Sequence, residues 1–218
     1  MMVVDCGDET NLHYTSDITR TTPMGCKFNQ RQKEIYEIVL KANSETIIAS
    51  KPAMSNCDLH LMTCRIITSE LKDLGIMKGN VDEAVAEATH ALFMPHGIGH
   101  LLRLDAHDME SLGENYIGYD DEIKRSNQFG LAYLRFALPF KCGNVFTIET
   151  GCYFIPELID ILKAESRFKQ FINYSKVGPY RNFGGIRIED NMLITETGHK
   201  VLGKPIPKTV LEVEATCN

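Results

Sequence analysis

Three histidines and two aspartates lie within the stretch MPHGIGHLLRLDAHD, at residues 94–108. Imidazole and carboxylate groups transfer protons and bind metal ions, so this stretch is the first candidate for chemistry. His96 and His100 are four residues apart, as in the helical zinc motif H-E-x-x-H. However, Gly97, Gly99 and the preceding proline disfavour a helix. We therefore predict a strand or tight loop that presents the histidines separately, with polar surface-turn residues as the alternative.

Four acidic side chains lie on segments whose composition is typical of β-strands, each flanked by apolar or β-branched residues: Asp5, Asp17, Glu149 and Glu189. A charge in such a place is costly unless it is paired or bound to a metal ion. For each acid alone, the exposed face of a half-buried strand is the simpler interpretation. Four such acids together with the histidine stretch indicate a shared site.

The last of these segments, GGIRIEDNMLIT, alternates strictly, which places Arg187 and Glu189 on one face of a strand. We therefore predict that Arg187 orients the Glu189 carboxylate from outside the metal's own ligand set. A plain ion pair on the sheet face is the alternative.

Four converging carboxylates require positive charge. Two unit charges about 4 Å apart repel by roughly 1 kcal/mol in water and about 4 kcal/mol at an effective dielectric constant of 20. Two divalent cations would offset four carboxylates. Oxygen ligands with one imidazole and no thiolate suit a manganese-like hard ion better than structural zinc. Because paired metals lower the pKa of a shared water and clamp a carbonyl or phosphoryl oxygen, the sequence predicts metal-assisted hydrolysis.

The composition of the 218 residues excludes several classes of protein. Hydrophobic residues make up 44% and charged residues 24%, as in ordinary soluble globular proteins. The net charge of −6, without a polybasic run, argues against a nucleic-acid partner. No apolar run approaches the roughly 18 residues of a membrane span, and the first residues do not resemble a signal peptide. Seven cysteines without a C-x-x-C motif predict free thiols in a reducing compartment, hence a cytoplasmic location.

Hydrophobic periodicity predicts helices and strands that alternate in blocks, which favours one α+β domain over residues 1–218. Helices are predicted at residues 29–50, 57–74, 81–92 and 158–171. Strands are predicted within residues 3–21, at 144–155 and at 184–195, and a polar loop at 109–130.

Four motifs occur in the order and approximate spacing of one known family: VDCG…YTSDITRT, MPHGIGH…HD, VFTIETGCYFI and GGIRIEDNMLITETGHKVL. The sequence resembles the pita-bread metallopeptidases, most closely the prolidases, which are Xaa-Pro dipeptidases. Methionine aminopeptidases share the fold, but their last ligand motif resembles Q-x-E-H-T, which GIRIEDN does not. The resemblance implies an α+β pita-bread catalytic domain that we expect to be incomplete at its N-terminal side.

The resemblance also implies a binuclear metal centre, with Mn²⁺ as the expected ion, whose activated hydroxide hydrolyses Xaa-Pro dipeptides. Asp17 and Glu189 would bridge the two ions, and Glu149 would also carry a proton to the leaving imino nitrogen. The complete implied ligand set is Asp5, Asp17, His100, Glu149 and Glu189.

Three further residues match substrate-side positions of the family. His96 and His107 match histidines that steady the scissile carbonyl and the tetrahedral intermediate. Arg135 matches the arginine that captures the dipeptide carboxylate, for which a bidentate guanidinium is suited. Two alternatives stay open: a catalytically impaired binding protein or fragment on the same fold, and an aminopeptidase acting on longer Xaa-Pro peptides. A homodimer could also form.

The sequence departs from the family pattern in four ways. Asp5 and Asp17 are twelve residues apart, one more than usual. Arg103 stands where relatives have glycine, and we expect it to obstruct the cleft. Thr150 replaces a proline after Glu149, and we expect a looser backbone there. The family's N-terminal domain and the elements before Asp5 are missing, so we expect a marginally stable or associating chain.

Overall fold

Two long helices form the layer behind the strands that carry the acidic residues. The first, α1, spans Gln30–Ala49 and begins at a capping box, in which Asn29 and Gln32 each accept a backbone N–H from the other at 2.9 Å. The second, α2, spans Asn56–Asp73 and begins at Ser55. Hydrophobic periodicity predicted both helices correctly to within a residue at either end.

The computed structural model describes residues 1–216, and Cys217 lies outside this range. The strands are β1 (Met2–Cys6), β2 (Ile18–Thr22), β3 (Val145–Phe154), β4 (Gly184–Ile194) and β5 (His199–Val201). The shorter helices are α3 (Val81–Ala86), α4 (Glu114–Ile117), α5 (Pro156–Ala164), α6 (Tyr174–Val177) and α7 (Val210–Thr216). Short 3₁₀ helices occur at Thr89–Leu92, Glu110–Leu112, Leu131–Tyr133 and Gly178–Tyr180. Within the described range, no helix has the length and apolar character needed to span a membrane.

The strands form two antiparallel groups that lie side by side. In the first, β4 lies between β3 and β5, and in the second β1 pairs with β2. The two groups meet where the hydroxyl of Thr21 on β2 donates to the carbonyl oxygen of Arg187 at 2.9 Å and accepts its N–H at 3.1 Å. Helix α1 packs behind β3 and β4, where the amide of Asn43 donates to the carbonyl oxygens of Ile148 and Ile188 at 3.3 Å each. This helix therefore fixes the two central strands relative to each other.

The histidine stretch runs along the edge of β3 that faces away from β4. The backbone N–H of Thr147 donates to the carbonyl oxygen of His100 at 2.9 Å, and the N–H of Glu149 donates to the carbonyl oxygen of Ile98 at 2.8 Å. Gly99 allows this close approach, because a Cβ atom there would lie 1.9 Å from the carbonyl oxygen of Thr147. The prediction of an extended segment that presents the histidines separately is confirmed.

Two predicted helices are shorter in the structure. The helix predicted at residues 81–92 ends at Ala86, because Ala88 adopts a left-handed conformation (φ 58°) before a 3₁₀ turn follows. The helix predicted at 158–171 is α5, which ends at Ala164; Ser166 and Phe168 then adopt positive φ values. Left-handed residues interrupt a helix whatever the periodicity of the side chains.

A buried ion-pair network lies on the side of β4 opposite the acidic site. Arg20 donates to the carbonyl oxygen of Glu189 and to the carboxylate of Asp190, at 2.6 Å each. Lys208 donates to the other Asp190 oxygen at 2.7 Å and to Asn43 at 2.9 Å. Asp190 thus joins β2, β4, α1 and the C-terminal segment, and both of its oxygens face a cation.

The close approach at Gly99 gives a first prediction. Gly99→Ala should lower the free energy of unfolding by ~1–3 kcal/mol, because the added methyl group pushes the histidine stretch away from β3. Chemical denaturation monitored by circular dichroism measures this. Gly25→Ala is the matched control, because a Cβ at Gly25 meets no atom within 4 Å. Equal stability of the two variants would contradict the close packing.

Candidate active site

The five predicted metal ligands converge from four segments of the chain. Glu149 and Glu189 stand directly opposite each other on β3 and β4. Asp5 pairs with Thr19 across the β1–β2 hairpin, and Asp17 lies two residues before Thr19, hence on the same face as Asp5. The loop between β1 and β2 absorbs the twelve-residue spacing, so neither aspartate turns away from the site.

The potential ligand atoms at this site form three overlapping groups, and within each group all atoms lie within 4.8 Å of one another. The groups are His100 with Glu149 and Glu189, Asp5 with Asp17 and Glu189, and Asp17 with His100 and His107. Asp17, His100 and Glu189 each belong to two of these groups. The Nε2 atom of His100 also lies 3.4 Å from Asp17 and 3.7 Å from Glu149. These oxygen and imidazole atoms would suit divalent cations.

The ring of His100 is oriented by the backbone. Its Nδ1 atom lies 3.1 Å from the carbonyl oxygen of Leu101, which can only accept, so Nδ1 carries a proton and Nε2 faces the carboxylates. Burial acts to lower the pKa of His100, but Asp17 and Glu149 outweigh burial and raise it. The hydrogen bond from His100 in turn lowers the pKa of Asp17. The negative charge of the cluster therefore favours the protonated form of His100.

Glu189 shows most clearly that this cluster requires positive charge. Burial, reinforced by the charges of Glu149, Asp17 and Asp5, raises the pKa of Glu189 to about 8. The hydroxyl of Thr19 donates to Glu189 at 2.6 Å, which offsets only part of this effect. A carboxylate in this position is stabilised either by a proton or by a cation. Oxygen donors with one imidazole are the ligands that hard divalent ions prefer, so the residues fit such ions.

Arg187, predicted to orient the Glu189 carboxylate from outside the metal's own ligand set, forms no direct ion pair with Glu189 among the described residues. The guanidinium of Arg187 donates to Asp5 instead and reaches Glu189 only through Thr19, whose hydroxyl lies 3.1 Å from Nε of Arg187. Alternation along β4 correctly placed Arg187 on the same face of the strand as Glu189. The partner could not be predicted, because it depends on how the β1–β2 hairpin lies across β4.

A cavity of about 620 Å³ opens onto the acidic cluster, and every predicted site residue lines it. His96 lies in its wall, with Nδ1 2.7 Å from the carbonyl oxygen of Gly97 and Nε2 3.0 Å from the hydroxyl of Tyr153. Burial lowers the pKa of His96. Tyr153 was not predicted, although alternation on β3 places it on the same face as Glu149.

The outer part of the cavity holds Arg135 and His107. Arg135 donates to Glu110 at 2.6 Å and to Glu114 at 3.1 Å. The Nδ1 atom of His107 lies 3.4 Å from the same Glu110 oxygen, and its ring centroid lies 4.3 Å from that of His100. Burial and the nearby His100 lower the pKa of His107. The contacts of Glu110 and Glu114 with Arg135 could not be predicted from the sequence, because both acids lie in the aperiodic segment predicted as a loop.

Two of the departures from the family pattern, at Arg103 and Thr150, do not disturb the site in the described part of the chain. Arg103 is exposed and is not among the residues that line the cavity, so the expectation that it obstructs the cleft is wrong. Thr150 is buried, and its hydroxyl lies 3.3 Å from the carbonyl oxygens of Val39 and Ile188. These side-chain contacts anchor the backbone that we expected to be looser without proline.

Residues 1–196 match the sequence pattern of metallopeptidase family M24. The chain belongs to this family. The chain is 38% identical to human Xaa-Pro dipeptidase over 215 residues, which are 99% of this chain and 42% of that relative. It is also 38% identical over 213 residues to a probable Xaa-Pro aminopeptidase of Fusarium vanettenii, covering 98% of this chain and 44% of the relative.

The M24 chain also has the aminopeptidase P fold. A histidine-to-alanine variant of Escherichia coli aminopeptidase P superposes with a TM-score of 0.73 at 33% identity, covering 98% of this chain and 40% of that one. A zinc-substituted form of the same enzyme in complex with product gives a TM-score of 0.68 at 34% identity. The α+β pita-bread expectation is therefore confirmed. The chain spans about two-fifths of the length of these relatives.

The raised pKa of Glu189 predicts how stability depends on pH without added metal. Folded Glu189 keeps a proton that the unfolded chain releases, so stability should fall as the pH rises from about 4.5 to about 8. Saturating Mn²⁺ should remove most of this decrease, because the cation replaces the proton. Thermal unfolding between pH 4 and 9, with Mn²⁺ or with a chelator, measures both effects.

Glu189→Gln should remove this pH dependence and the bound metal together, because an amide cannot supply two anionic oxygens. Glu196→Gln is the control, since Glu196 is an exposed acid outside the cavity. Full metal occupancy in Glu189→Gln would show that Glu189 is not a ligand.

Proposed function

We propose that this M24 chain hydrolyses Xaa-Pro dipeptides with two divalent ions, most suitably Mn²⁺. The observation that carries the proposal is the convergence of four carboxylates and one imidazole on a cavity that also contains Arg135. Bound divalent ions would lower the pKa of a shared water and polarise the scissile carbonyl. The ligand set would be Asp5, Asp17, His100, Glu149 and Glu189.

The remaining chemistry falls to side chains around the cluster. Glu149 is the proposed proton carrier to the leaving imino nitrogen, because it is half-buried and lines the cavity beside the other carboxylates. His96 is held by Gly97 and Tyr153 at the wall, where it steadies the scissile carbonyl. His107 is more exposed than His96 and lies against the ring of His100, where it would steady the tetrahedral intermediate.

Arg135 is the proposed receptor for the carboxylate of the dipeptide. A guanidinium that binds this carboxylate would favour dipeptides over longer chains, whose carboxylate lies farther away. One observation favours the second candidate, an aminopeptidase for longer Xaa-Pro peptides. Arg135 already forms salt bridges with Glu110 and Glu114, so a substrate carboxylate must compete with these two carboxylates for the guanidinium.

Cleavage of Gly-Pro by the purified chain with Mn²⁺, alongside metal analysis, tests the proposal directly. Turnover that requires added Mn²⁺ and is lost in Glu149→Gln supports it. Metal binding without turnover in the unaltered chain would instead support the alternative of a catalytically impaired binding protein.

Arg135→Ala tests the selection of peptide length. It should lower kcat/KM for Gly-Pro by ~1.5–3 kcal/mol, as expected for a lost contact to a charged group. The longer peptide Gly-Pro-Gly-Gly should be affected much less. Equal losses for the two peptides would show that Arg135 maintains structure and does not select substrates.

Glu110→Gln tests the competition for Arg135. Removing this charge should lower KM for Gly-Pro several-fold with little change in kcat, because the guanidinium becomes available. Glu122→Gln is the matched control, since Glu122 is an exposed acid of the same segment. An unchanged KM in Glu110→Gln would mean that a carboxylate at this position does not restrict dipeptide binding.

We also propose a cytoplasmic location and association between copies of the chain. Five cysteines within residues 1–216 are free thiols, which supports a reducing compartment: Cys6, Cys57, Cys64, Cys142 and Cys152. Strand β1 exposes the side chains of Met2, Val3 and Val4, and an exposed apolar edge strand favours association. Sedimentation velocity would show a concentration-dependent dimer, and a monomer at every concentration would contradict it.

A further inference from the structure

A second cluster of metal-binding side chains lies in the helical layer, away from the acidic cavity. His60 and Cys64 are one turn apart on α2, and His90 lies on the 3₁₀ helix Thr89–Leu92. All three side chains are at most 1% exposed. One potential ligand atom of each lies within 4.8 Å of the others. None of the three lines the cavity described above.

The nitrogen atoms of this cluster lack the partners that buried polar atoms normally have. The Nδ1 atom of His60 and both ring nitrogens of His90 are buried without a hydrogen bond in the described structure. The single polar contact within the cluster joins Nε2 of His60 to the sulfur of Cys64, at 3.4 Å. Since buried polar atoms are rarely left unpaired, three such nitrogens around one thiol point to a ligand.

The protonation state of the cluster suits metal binding. Burial lowers the pKa of His60 to about 3 and that of His90 to about 4. Both rings are therefore neutral near pH 7, and each has a free nitrogen lone pair. Burial raises the pKa of the Cys64 thiol, so its proton leaves only when a cation takes its place.

We propose that His60, Cys64 and His90 bind one soft metal ion, and that Cu(I) fits this site best. Thiolate and imidazole ligands together select Cu(I) or zinc, whereas structural zinc sites have four protein ligands. No fourth His, Cys, Asp or Glu within residues 1–216 joins this group. A thiolate, two neutral imidazoles and Cu(I) also carry no net charge, which suits a site without solvent.

The binding step is a simple exchange. The S–H bond of Cys64 breaks, a bond forms between its sulfur and Cu(I), and the proton passes to solvent. The two imidazoles add lone pairs, and the copper keeps its oxidation state. The acidic cavity offers only carboxylates and imidazoles, so a sulfur–metal bond distinguishes the new site from the proposed catalytic one.

X-ray absorption at the copper edge tests this assignment. The fully reduced 218-residue chain is given one equivalent of Cu(I) without oxygen, in the presence of a competing Cu(I) chelator. We expect the chain to retain the copper, with one sulfur and two nitrogen neighbours. Cys64→Ala should lose the sulfur neighbour and hold Cu(I) at least tenfold more weakly.

Cys152→Ala is the matched control, because Cys152 is an equally buried thiol on β3 outside the cluster. This variant should keep the sulfur-bound copper. His90→Phe provides a second test that leaves the thiol in place, and it should lose one nitrogen neighbour and most of the affinity. Circular dichroism confirms that each variant is folded.

Several results would overturn the proposal. One is copper in the unaltered chain that has only oxygen and nitrogen neighbours. Another is a sulfur neighbour that persists in Cys64→Ala, which would place the metal on a different cysteine. Sulfur-bound Zn²⁺ in a parallel sample, combined with failure to retain Cu(I), would overturn the choice of ion.

Discussion

The site depends on one constraint, which is that the backbone holds Glu149 and Glu189 directly opposite each other. Side chains at paired positions of an antiparallel sheet lie about 4.5–5.5 Å apart at Cβ, and like charges there are destabilising. The strands cannot separate to relieve this repulsion, because Asn43 on α1 binds the carbonyl oxygens of both strands. The fold therefore maintains a local repulsion that a cation can remove.

Each neighbouring element adds to this pair in a different way. The β1–β2 hairpin contributes two more carboxylates and, through Thr19, the hydroxyl that contacts Glu189. The histidine stretch follows the outer edge of β3, so His100 reaches the cluster from the side opposite β4. The aperiodic segment after it contributes Glu110 and Glu114, which modulate Arg135. The proposed selectivity thus resides on the least regular part of the chain, whereas the proposed metal ligands lie on or beside paired strands.

The sequence allowed the prediction of features that follow from local patterns. Hydrophobic periodicity identified helix α1. Four acids were recognisable because a charge inside a strand-like segment is unusual: Asp5, Asp17, Glu149 and Glu189. The contact between Arg135 and Glu110 was not predictable, since it joins residues 25 apart through a loop without periodicity. His60 and Cys64 have helical spacing, but His90 approaches them only because left-handed Ala88 redirects the chain after α3. Three-dimensional approach of this kind leaves no local signal.

The network behind β4 bears on where the catalytic unit ends. The match to the family M24 sequence pattern ends at residue 196, whereas Lys208 lies beyond it and contacts both Asp190 and Asn43. Asp190 is the immediate neighbour of Glu189, and Asn43 is the residue that joins the two central strands. A protein cut after residue 196 would keep every proposed metal ligand but leave the buried Asp190 with Arg20 as its remaining cation. The segment that supports the site electrostatically therefore extends C-terminal to residue 196, as far as Lys208.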